Sequence, residues 1–104
     1  MGVMMQTFYW DCPRVEKKEF QWWKYIEEKV PSLAKVGFTS LWLPPIHKAA
    51  NLFGPSMGYD PYDYYDLGEF SQKGTVPTWF GSRKELETLI ESVHKNGLGL
   101  IADI

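Results

Sequence analysis

The residue types best suited to chemistry fall in one run, Gly58-Tyr59-Asp60-Pro61-Tyr62-Asp63-Tyr64-Tyr65-Asp66-Leu67-Gly68-Glu69-Phe70, which sets five aromatic rings and four carboxylates in thirteen positions. Gly58, Gly68 and Pro61 exclude an ordinary helix or an alternating strand, so the run reads as a shaped loop. A sugar ring offers a C–H face that can lie on an aromatic plane and a rim of hydroxyls that pair with carboxylates. A loop rich in both suits a sugar, and the same composition also suits a packed surface loop at a protein contact.

The other candidates are sparser. Asp60, Asp63, Asp66 and Glu69 recur every third residue. A helix-loop-helix calcium loop alternates its ligands every second residue, so this run is expected to hold its own backbone rather than a metal. His47 and His94 have no second His or Cys at ligand spacing, and Cys12 has neither a disulfide partner nor a nearby His. Asp103 lies near the end of an apolar run, where a carboxylate needs a partner such as an Arg. The ends of parallel strands are also where α/β active sites are built.

The elements that must position these residues can be read in order. Val3 to Trp10 is almost wholly apolar, as expected for a strand buried on both faces. Phe20, Trp23, Ile26, Val30 and Leu33 follow at helical spacing, with Pro31 marking either a kink or a break between two helices. Thr39 to Leu43 is a second strand, stopped by Pro44-Pro45, and a connection without helical period then runs 38 residues from Pro44 to Gly81. So long a connection in a compact domain is expected to be functional. Ser82-Arg83-Lys84-Glu85 is a capping box opening a helix with Leu86, Leu89, Ile90 and Val93 on one face, and Leu98 to Ile104 is a third strand. The order is βαβαβ with a long loop after the second strand, an α/β arrangement with parallel strands and right-handed crossovers.

Composition excludes several function classes. A net charge of −2 and the lack of clustered Lys and Arg argue against nucleic acid and acidic membranes as partners. Apolar runs fall far short of the ~18 residues of a membrane span, and the first residues show no signal peptide. No glycine-rich phosphate loop follows any strand. With 44% hydrophobic and 16% aromatic residues, 104 residues can form a core.

Taken together, Met4-Met5-Gln6-Thr7-Phe8-Tyr9-Trp10-Asp11, Leu41-Trp42-Leu43-Pro44-Pro45, the run from Gly58 to Phe70, Gln72-Lys73-Gly74-Thr75-Val76, Phe80-Gly81-Ser82 and Ala102-Asp103-Ile104 resemble, in order and spacing, the start of the α-amylases of glycoside hydrolase family thirteen. The resemblance implies the first three β/α units of a (β/α)8 TIM barrel, truncated, with residues 1–104 the amino-terminal part of the catalytic domain and no second domain. It implies retaining hydrolysis of internal α-1,4-glucosidic bonds of starch or glycogen, by two carboxyl groups about 5 Å apart on later strands. On this basis no catalytic residue lies within the chain, which by itself would be inactive. Tyr59 matches the ring that stacks on the sugar beside the scissile bond, Trp10 an aromatic at the end of the first strand lining the cleft, and Asp60, adjacent to Tyr59, a weaker sugar contact at a position that varies among amylases. Asp103 matches an auxiliary carboxylate that orients an active-site Arg.

Calcium is implied for the full-length family, with ligands beyond residue 104 and none in this chain. The implied partners are an α-glucan and the remainder of the barrel, and family members are often secreted. A stand-alone carbohydrate-binding module, and a transglycosylase or debranching enzyme of the same family, are the alternatives. A three-stranded excerpt of a closed barrel leaves two unpaired edges and a wet inner face, so the isolated chain is expected to be marginally stable or to aggregate.

Overall fold

A computed structural model describes residues 2–8, 22–50, 59, 61–72, 76–78 and 80–103. A three-stranded parallel sheet holds β2 (Ser40–Leu43) between β1 (Met4–Gln6) and β5 (Gly99–Ala102). Met5 pairs with Leu41 on one side of β2, and Leu41 pairs with Leu100 on the other. Helix α1 (Trp22–Lys35) lies between β1 and β2 in the chain, and α2 (Arg83–Lys95) precedes β5.

The core lies on one face of this sheet. Along β2 the side chains alternate, and Leu41 and Leu43 are fully buried against the two helices. Trp22, Trp23, Ile26 and Val30 form the inward face of α1, and Leu86, Leu89 and Val93 that of α2. The opposite face carries Trp42, met edge-on by Phe8 with ring centroids 5.5 Å apart. Burial of the strands on both faces, expected from their apolar runs, is not found among the described residues: β1 and β5 have exposed residues at alternate positions, because the described helices cover one face.

Two local expectations resolve clearly. Ser82 Oγ accepts the Glu85 N–H while the Glu85 carboxylate accepts the Ser82 N–H, so the capping box opens α2 as read. Pro31 lies inside a single helix, so the reading of two successive helices is set aside. The buried face of α1 tolerates the lost hydrogen bond because its core contacts outweigh a local defect on the exposed side.

The long connection differs from the loop expected. It contains a short antiparallel pair, β3 (Lys48–Ala49) with β4 (Pro61–Asp63), in which Ala49 faces Pro61 and Lys48 faces Asp63. Ala49 and Phe80 are both fully buried in the main core, so the connection is pinned at two points. Phe80 packs on Trp23, whose backbone N–H donates to the Phe80 carbonyl. Gly81 has φ of 151°, and a Cβ there would stand 2.5 Å from the Trp23 ring. Gly68 has φ of 105°, and a Cβ there would meet the Gly81 carbonyl oxygen at 2.7 Å. Glycine at both positions lets the aromatic-acidic run lie directly against the start of α2.

Pro31→Ala restores a helix N–H at an exposed position and is expected to stabilise the chain by about 2 kcal/mol. The check is a higher urea midpoint by circular dichroism, with an unchanged m-value.

Candidate functional site

The sheet and the connection meet at the C-terminal ends of the strands. Asp103 follows β5, and its N–H donates to the carbonyl of Leu43, the last residue of β2. The connection curls back over this end, and the Tyr59 hydroxyl donates to Asp103 Oδ2 at 2.6 Å. Burial of the hydroxyl, then the hydrogen bond to Asp103 and its charge, push the Tyr59 pKa up to about 12. The phenol therefore stays a donor at every physiological pH, while its ring remains half exposed.

Of the residues expected at a sugar site, Tyr59 and Asp103 are thus brought together from 44 positions apart in the chain. Trp10 and Asp60 lie outside the described residues. Within the described residues the Asp103 carboxylate accepts from the Tyr59 phenol. Around Tyr59 the run presents further rings: Tyr62, Tyr64, Tyr65 and Phe70 are all exposed.

The carboxylates that looked equivalent in sequence have different tasks. Asp66 is fully buried, and its Oδ1 accepts N–H groups from Gly68, Glu69 and Phe70 while Oδ2 accepts the Gln72 amide. Asp63 accepts the Tyr65 N–H and the same Gln72 amide, and Glu69 pairs at the surface with Arg83. The expectation that these groups hold their own loop is met for Asp63 and Asp66.

N–H donors already point at both Asp66 oxygens, so this carboxylate is engaged in holding the turn. Among the described residues no group of three or more His, Cys, Asp or Glu could hold a metal ion.

Two residues escaped sequence reading. Lys48 is fully buried, its ammonium donating to the carbonyls of Val76 at 3.0 Å and Pro77 at 2.9 Å. His47, set aside as a lone histidine, is buried with its ring 4.8 Å from that of Tyr64. The one available signal was position: both sit in the apolar segment after β2, where a surface Lys or His is out of place.

Burial pushes the Asp66 carboxyl up, but the hydrogen bonds from Gly68, Gln72, Glu69 and Phe70 outweigh it and leave its pKa below the usual carboxylate value. A depressed folded pKa contributes stability that is complete above the unfolded value near 4 and is lost as pH falls through the folded one. Urea midpoints of the native chain are therefore expected to drop on acidification below about pH 4, and those of Asp66→Asn to drop less steeply. Parallel curves for the two proteins would contradict this.

Comparison with known proteins agrees with the geometry. The model of the alpha-amylase catalytic domain matches residues 16–104. The alpha-amylase of Bacillus licheniformis is 39% identical over 103 residues, covering 99% of this chain and 19% of the relative. Truncated alternansucrase from Leuconostoc mesenteroides superposes with a TM-score of 0.77 at 29% identity, over 98% of this chain and 10% of that one. The alpha-amylase from Geobacillus thermoleovorans, solved with acarbose, superposes with a TM-score of 0.64 at 28% identity, over 83% of this chain and 17% of that one. The chain thus spans about a fifth of the length of the curated amylase it matches. A parallel sheet whose strand ends gather Tyr59 and Asp103, together with a family match over residues 16–104, places the chain in the alpha-amylase catalytic-domain family.

Proposed function

We propose that this chain supplies one wall of the substrate cleft in a retaining glycoside hydrolase that cleaves internal α-1,4-glucosidic bonds of starch or glycogen. The observation that carries the reading is the Tyr59–Asp103 hydrogen bond at the C-terminal ends of the parallel strands. There the half-exposed ring offers a platform for the C–H face of a glucose unit. Trp10 is proposed to line the same cleft and Asp60 to contact the sugar more weakly. Asp103, already fixed by the Tyr59 hydroxyl, is proposed to orient an active-site Arg lying outside this chain.

In the reaction so proposed, one carboxylate attacks the anomeric carbon while a carboxylic acid protonates the departing glycosidic oxygen. Water, deprotonated by that same group, then releases the sugar with retained configuration. Neither group is assigned within residues 1–104, so the chain alone is proposed to be inactive. Calcium, which the resemblance implies, would be held by residues outside the aromatic-acidic turn. The bound acarbose of the Geobacillus thermoleovorans amylase supports a glucan-like ligand for the shared fold.

A transglycosylase of the same family is a second reading, favoured by the superposition on alternansucrase. A stand-alone binding module fits less well, because among the described residues β1 and β5 are both edge strands and one sheet face lacks helices.

The test is a chimaera in which this chain replaces the aligned residues of the Bacillus licheniformis alpha-amylase. It is expected to release maltooligosaccharides from starch, with Tyr59→Ala lowering kcat/KM by about tenfold to a hundredfold. A folded chimaera without activity on starch, or activity indifferent to Tyr59→Ala, would contradict the reading. Predominance of transfer products over hydrolysis products would favour the second one.

A further inference from the structure

Apart from the Tyr59–Asp103 pair, the connection buries two opposite charges completely, Lys48 and Asp66. Lysine is almost never fully buried, because removing an ammonium from water costs several kcal/mol, and an apolar side chain of similar volume would have packed as well. What the buried charges supply is geometry. The Lys48 ammonium clamps the carbonyls of Val76 and Pro77, and its backbone N–H donates to the Asp66 carbonyl at 2.8 Å. The Asp66 carboxylate gathers the N–H groups of Gly68, Glu69 and Phe70, and through the Gln72 amide it is joined to Asp63, the residue opposite Lys48.

Four stretches of a connection with little regular structure, β3, β4, the turn at 66–72 and residues 76–77, are thus locked together around one pair of charges. The pairing of Ala49 with Pro61 carries that lock to within two residues of Tyr59. Burial lowers the Lys48 pKa, and the charge of Asp66 opposes that shift.

We propose that Lys48 and Asp66 are positioning residues for Tyr59: by fixing the β3–β4 pair against the 66–77 segment, they hold the Tyr59 ring over the strand ends where its hydroxyl meets Asp103. The inference rests on the proposed sugar-binding role of Tyr59. Neither residue touches the substrate.

A double-mutant cycle in the chimaera tests it. Lys48→Met keeps the length of the side chain and removes its charge and donors. In the Tyr59 background it is expected to lower kcat/KM at least about tenfold. In the Tyr59→Ala background the same change is expected to cost less than about twofold, because the group being positioned is gone. Asp66→Asn is expected to show the same coupling. Equal losses in both backgrounds would overturn the proposal, as would loss of cooperative melting in both variants, which would make the pair a requirement of the fold and nothing more.

A second readout is independent of activity. In the 104-residue chain at pH 7, 13Cζ-tyrosine NMR, assigned with Tyr59→Phe, should show the Tyr59 resonance displaced from that of an ordinary tyrosine by its hydrogen bond to Asp103. In a folded Lys48→Met variant that resonance should move to the position of an ordinary tyrosine, and an unmoved resonance would overturn the proposal. If the unsubstituted chimaera folds but leaves starch intact, the proposed function fails, and this resonance alone decides whether Lys48 positions Tyr59.

Discussion

One buried carboxylate holds the candidate site in shape. Among its described residues, a 38-residue connection rich in proline and glycine has one short β3–β4 ladder to fix it, and conformational entropy opposes any single form unless something local selects one. Asp66 makes that selection by accepting three successive backbone N–H groups and one side-chain amide in a site closed to water. Each such bond to a charged acceptor contributes about 1.5–3 kcal/mol, and an unfilled buried N–H costs a comparable amount. The turn therefore resists partial loosening. Gly68, in the backbone form that side chains avoid, lets this turn rest on Gly81 and the start of α2.

From that turn the order spreads in two directions. Towards the core it passes through Phe80 and Trp23 to α1, tying the connection to the helices that cover β2. Towards the strand ends it passes through the β3–β4 pair to Tyr59 and so to Asp103. Sheet, helices and connection thus converge on one phenol–carboxylate contact.

Much of this was legible in the sequence, for reasons that differ between elements. The capping box at Ser82 and Glu85 is a local signal and specifies the start of α2 without help from the rest of the fold. The apolar runs around Met5, Leu41 and Leu100 marked the three parallel strands, although their continuous hydrophobicity suggested two covered faces where the structure covers one. Pro31 misled in the other direction, since tertiary burial of Trp23, Ile26 and Val30 carries the helix through it. The β3–β4 pair could not be read, because strands of two and three residues leave no period to detect. Lys48 was only weakly marked: its place in the apolar segment after β2 hints at burial, but nothing in a lone lysine says that it will be enclosed by carbonyls 28 and 29 positions away. The roles of Trp10 and Asp60 rest on the family resemblance, for both lie outside the described residues.

The most direct measurement is a crystal structure of the chimaera, carrying this chain in the Bacillus licheniformis amylase, with acarbose bound. The account predicts a sugar ring lying on the Tyr59 face within about 4 Å, with the Tyr59 hydroxyl still on Asp103 and the Lys48 ammonium still on the carbonyls of Val76 and Pro77. A bound inhibitor that leaves Tyr59 untouched, or a connection rearranged so that Tyr59 and Asp103 are apart, would contradict it.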